Sequence, residues 1–128
     1  MEKFLFIIRE DLSELKKWNE EKRYNGIKEM DLWVKSLLQN GNYISGDALY
    51  IKGSYVTKDH VLSDGPFIEA KEGISGFMSV EAKDIKDAVS IAQTCPLVQS
   101  GNMAIEVRPL MNVKDIRELG DEPRTTGS

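Results

Sequence analysis

Along this chain the apolar positions change period several times, and each change marks an element. Phe4 to Ile8 is an unbroken apolar run of β-formers, the pattern of a strand covered on both faces. Asp11-x-x-Glu14 then reads as a capping box and predicts a helix over 12–23, with Leu12, Leu15 and Trp18 as its apolar residues. The segment from Asn19 to Lys28 is polar and contains Gly26, which predicts a break or kink. From Ile27 the helical period returns through Met30, Val34, Leu37 and Leu38, predicting a helix over 27–40. Gly41 follows, where a left-handed residue ends a helix. Trp33 borders the stripe and reads as a core or dimer-contact residue.

Beyond Gly41 the period shortens. Ala48–Ile51 and Tyr55–Thr57 are short strand candidates, and His60–Ser63 returns after a Lys58-Asp59 turn as the partner strand of a hairpin. Asp64-Gly65-Pro66 stops regular structure. The next strand is expected over Ile74–Ala82, with Ile74, Gly76, Met78, Val80 and Ala82 on one face and Ser75, Phe77, Ser79 and Glu81 on the other. Asp84 caps a helix whose Ile85, Ala88, Val89 and Ala92 share a stripe, and Pro96 is expected to end it. Met103–Arg108 is the last strand, closed by Pro109. Residues 120–128 read as a disordered tail, which leaves 1–119 as one domain.

The order strand, helix, strands, helix, strand is the ferredoxin-like split βαβ pattern. It predicts an α+β fold in which the 27–40 and 84–94 helices cover one face of an antiparallel sheet. Two helices cover one face only, yet the first strand is apolar on both. A second copy of the sheet would cover the other, so a homodimer enclosing a cavity is expected.

Composition narrows the function classes. The 128 residues include 17 Lys and Arg against 21 Asp and Glu, a formal net charge of −4. Such a balance argues against a nucleic-acid partner, which draws on clustered cations. Only five apolar residues follow Met1-Glu2-Lys3 before Arg9, too few for an export or membrane segment, so a cytoplasmic protein without a membrane partner is expected. The single cysteine, Cys95, reads as a buried small hydrophobe. One His and one Cys assemble no zinc-ligand spacing and no Ser–His–Asp arrangement, and there is no Gly-rich phosphate loop. Neither a metal nor another cofactor is expected.

The candidate chemistry lies in two charged segments. Asp64 precedes Gly65-Pro66, whose backbone is held extended and fixed. Asp64 either organises that loop as an Asx turn or serves as a general base or ligand-binding carboxylate. Glu69 and Lys71 share a face if extended, with Glu72 opposite; they form either a solvated cluster or a ligand-holding pair. Glu106 and Arg108 share one face of the last strand, with Met103, Ile105 and Val107 on the core side. Arg108 is the natural anion-binding group there, and a plain cross-strand salt bridge is the other reading. His60 is the one candidate proton carrier, or a simply exposed turn residue.

Asp64-Gly65-Pro66-Phe67-Ile68-Glu69-Ala70-Lys71-Glu72, followed by Gly76-Phe77, resembles the signature of YCII-related DGPF proteins. Glu106-Val107-Arg108-Pro109 is similar to that family's strand ending, and the resemblance covers about residues 1–112. It implies a dimeric α/β barrel with a cleft near the Asp-Gly-Pro-Phe loop. For the broader group it implies chemistry by a His–Asp pair, for which His60 and Asp64 are the candidates here. The expected function is binding, or acting on, a small polar or anionic metabolite, with Glu69, Lys71, Glu106 and Arg108 as ligand contacts. The alternative it allows is a non-catalytic regulatory domain associated with a sigma factor.

Overall fold

A computed structural model describes residues 1–50, 52–63 and 72–118. In chain order the elements are β1 (Glu2–Asp11), α1 (Leu12–Leu15), α2 (Glu20–Gln39), β2 (Tyr43–Ala48), β3 (Ser54–Val56), β4 (Val61–Ser63), β5 (Glu72–Ala82), α3 (Ile85–Gln93), α4 (Pro96–Gln99), β6 (Met103–Pro109) and α5 (Val113–Arg117). Four strands form an antiparallel sheet in the order β2-β5-β1-β6, and β3 with β4 forms a separate two-stranded sheet. The architecture is the ferredoxin-like α+β arrangement expected. The 120–128 tail lies outside the described residues.

One face of the four-stranded sheet carries the core. Phe4, Phe6 and Ile8 of β1 and Met78, Val80 and Ala82 of β5 pack with Trp33 and Leu37 of α2, Ala88 and Ala92 of α3, and Leu97 of α4. Fully burying side chains of this size stabilises the fold by about 1.5–3 kcal/mol each. Trp33 enters this core with its Nε1–H donating to Thr94 Oγ1 at 2.8 Å, so the indole is buried without an orphaned donor. Among the described residues no helix is long and apolar enough to cross a membrane.

Helix ends follow local chemistry. Asp84 accepts the Asp87 N–H at 2.8 Å and caps α3 as expected. Gly41 has φ +77°, and the Gly41 and Asn42 N–H groups donate to Leu38 and Leu37 carbonyls, closing α2 by a Schellman motif. The start of α2 corrects the expectation of a 12–23 helix and a break at Gly26. The first helix stops at Leu15, and the break falls at 16–19. Asn19 restarts the chain by accepting the Lys22 N–H at 2.8 Å, with Glu20 and Glu21 favourably placed in the first turn. Gly26 lies inside α2 because Trp18 packs there: a Cβ would stand 3.3 Å from the indole.

Three further expectations shift. The strand placed at 48–51 forms instead at 43–48, with Ile51 outside the described residues. Gly46 permits this, since its Cβ position would lie 2.6 Å from the Phe77 carbonyl oxygen and only a bare backbone fits beside β5. α3 ends at Gln93 and Cys95 is extended ahead of Pro96, as expected. Pro96 also opens a helix that the pattern did not predict, standing at the first turn of α4, where its missing N–H costs nothing. The β1–β5 register shifts between Ile8 and Arg9, pairing Arg9 with Ile74. Ile74 therefore leaves the core face assigned to it and is exposed.

Candidate functional site

The face of the sheet opposite the helices carries every second residue of β1: Leu5, Ile7 and Arg9, all half-buried. Register places Ile7 beside Glu106 and Leu5 beside Arg108, because paired residues of antiparallel strands share a face. Glu106 and Arg108 therefore project together off this face, while Met103, Ile105 and Val107 pack on the core, as their alternation requires.

Glu106 is the centre of the cluster. Its Oε1 accepts from Arg9 Nε at 3.0 Å and Nη2 at 2.9 Å, and its Oε2 accepts from Arg108 Nη1 at 3.2 Å. Hydrogen bonding from Arg9, and next from Arg108, holds the Glu106 carboxyl below its ordinary range. Two guanidinium groups against one carboxylate leave a net positive charge. The Arg108 side chain keeps 66% of its surface exposed, against 30% for Arg9 and 32% for Glu106. Among the described residues its guanidinium makes one hydrogen bond, so it retains donors for an incoming oxyanion.

Sequence reading singled out Glu106 and Arg108 but missed Arg9. The signal was the alternation Leu5, Ile7, Arg9, which places a cation on the outward face of the central strand. Only strand pairing shows that this cation reaches Glu106. His60 lies elsewhere, at the exposed turn of the β3–β4 hairpin, where its N–H donates to Thr57 Oγ1 at 3.1 Å and its carbonyl accepts from Thr57 N–H. Asp64, Glu69 and Lys71 lie outside the described residues.

Cys95 is fully buried, with Sγ 3.6 Å from Met30 Sδ and 4.0 Å from Met103 Sδ, and burial raises its thiol pKa. It is a core residue, as expected, and a poor nucleophile. On the helix side, a groove of about 340 Å³ lies beside Trp18 and Leu97 and another of about 360 Å³ beside Trp33 and Thr94. Neither contains a residue that sequence reading marked for chemistry. The charged cluster, and not these grooves, is therefore the candidate site.

Residues 3–114 match the family model of the YCII-related domain. No curated protein matches the chain.

Proposed function

The chain belongs to the YCII-related family, and from that premise we propose that it is a cytoplasmic homodimer binding a small polar or anionic metabolite on the sheet face opposite its helices. The observation that carries this reading is the Arg9–Glu106–Arg108 cluster, which is positively charged overall and has one arginine held in place and still largely exposed. Glu106 draws Arg108 toward this face through one hydrogen bond and leaves its other guanidinium donors open to an oxyanion. Leu5, Ile7 and Phe77 beside the cluster supply an apolar floor for the rest of the ligand. A second copy stacked on this face would enclose both.

The test is a thermal-shift screen with small carboxylates and phosphates. A ligand at a hundred times its Kd should add about 2.7 kcal/mol of stability. Arg108→Met keeps the apolar stem, removes the charge, and should abolish the shift while the protein still folds. A shift that survives Arg108→Met would move the ligand elsewhere.

A regulatory interaction domain acting beside a sigma factor is the second reading. It draws on α2, whose outer side leaves Tyr24, Ile27 and Leu38 exposed. On that reading no metabolite raises the melting temperature, and an Ile27→Lys, Leu38→Lys variant loses its protein partner in a co-purification from the native host.

A further inference from the structure

The sheet face that no described helix covers is charged asymmetrically. Register sets Asp47 of β2 opposite Phe77, Phe77 opposite Ile7, and Ile7 opposite Glu106. One row of side chains thus runs across the sheet from Asp47 at one edge to Glu106 at the other, with an apolar middle. The β6 edge and its neighbour Arg9 are positive overall, with Arg9 one row to one side of Glu106 and Arg108 one row to the other. The β2 edge carries the exposed carboxylate of Asp47. Lys3 and Glu81 stand opposite each other in register, and their charges cancel. Asp11, one row beyond Arg9 and paired with Glu72, turns its carboxylate to the start of α1, where it accepts from the Ser13 and Glu14 N–H groups.

For two copies stacked with their strands nearly aligned, the two-fold axis lies between their faces and runs either across the strands or along them. Across the strands, β6 lies over β6, so the two positive clusters face each other, and Asp47 faces Asp47. Along the strands, β2 of each copy lies over β6 of the other. The apolar middles then meet, and each Asp47 falls in the row of the opposite Glu106, between two arginines. Charge complementarity selects this second arrangement. Stacked sheets lie about 10 Å apart, a gap that a small molecule bridges between an arginine and an aspartate.

We infer, building on the dimeric ligand-binding reading above, that the partner's Asp47 completes the site beside Arg108, and that the ligand carries both a carboxylate and an ammonium group. Arg108 takes the carboxylate, and the partner's Asp47 takes the ammonium. Each dimer then holds two sites, and each site draws on both chains.

β-Alanine and propionate share a three-carbon carboxylate and differ in the ammonium, so calorimetric titration of the full-length chain with both compounds tests the assignment. Wild-type protein should bind β-alanine at least about tenfold more tightly than propionate. Asp47→Asn should remove that preference, and Arg108→Met should remove binding of both. A mixed dimer of one Asp47→Asn chain and one Arg108→Met chain, co-expressed with different tags and purified through both, keeps one site with both native residues. It should bind β-alanine at half the wild-type stoichiometry. No preference for β-alanine in the wild-type dimer, or no recovery in the mixed dimer, would overturn the shared site. Sedimentation showing a monomer at micromolar concentration would instead sink the dimeric reading beneath it.

Discussion

Phe4, Phe6 and Ile8 of β1 are buried against α2, α3 and α4, whereas Leu5, Ile7 and Arg9, interleaved with them on the same strand, stay half-buried. The two sets are similar in composition up to residue 8, and the strand alternates regularly between them. What separates them is the layer laid on each side. Helices close one face with apolar side chains, so it tolerates no charge. The other face meets no helix among the core-forming elements, and there a cation on β1 finds a carboxylate on β6. The helix-covered face carries the core, and the opposite face carries the Arg9–Glu106–Arg108 cluster.

The sharpest way to break that division is to truncate neighbours on the two faces. Phe6→Ala should cost about 3–5 kcal/mol by chemical denaturation, at any protein concentration, because the cavity opens inside a closed core. Ile7→Ala, one residue along, should cost less in dilute protein. Its effect should grow with protein concentration, because the lost contact is then one with a second copy. Equal, concentration-independent losses would erase the distinction between the faces.

A smaller effect is expected at the sheet edge. Gly46→Ala places a methyl 2.6 Å from the Phe77 carbonyl and 2.7 Å from the Met78 Cβ, so β2 must move away from β5. The expected cost is about 1–3 kcal/mol, read from the denaturation midpoint. An unchanged midpoint would show that the edge strand yields freely.

The smallest effect is the pH dependence of the cluster. The folded carboxyl of Glu106 titrates below its ordinary value. Its contribution is therefore complete above the unfolded glutamate value of about 4.3 and is lost as pH falls through the lower folded value. The stability difference between wild type and Glu106→Gln should be constant near neutrality and shrink as the pH drops below about 4. A difference that stays flat through the acid range would mean that the two arginines do not favour the ionised form.

Local signals were readable wherever a residue acts through its own backbone or its immediate neighbours. Asp84 as a cap, Gly41 as a helix stop, the hairpin around 57–61 and the two faces of Met103–Arg108 all follow from chemistry within a few residues. The misread segments are those where a distant residue intervenes. Gly26 looks like a break until Trp18 is seen to fill the space beside it. Ile74 looks like a core residue until the register shift against β1 turns it outward.

The sequence alone determined the α+β class and the order of the sheet strands and the two long helices, because periodicity and capping are properties of short segments. Of its two apolar stripes, Met30, Val34, Leu37, Ala88 and Ala92 reach the core, whereas Ile27, Leu38, Ile85 and Val89 stay exposed. It also marked Glu106 and Arg108 as a pair, since a period of two places them on one face. The tertiary structure decided that Arg9 joins them and that Asp47 shares the Glu106 row at the opposite edge. Those relations cross strands far apart in the chain and depend on register, which hydrogen bonding between whole strands sets and no local pattern encodes.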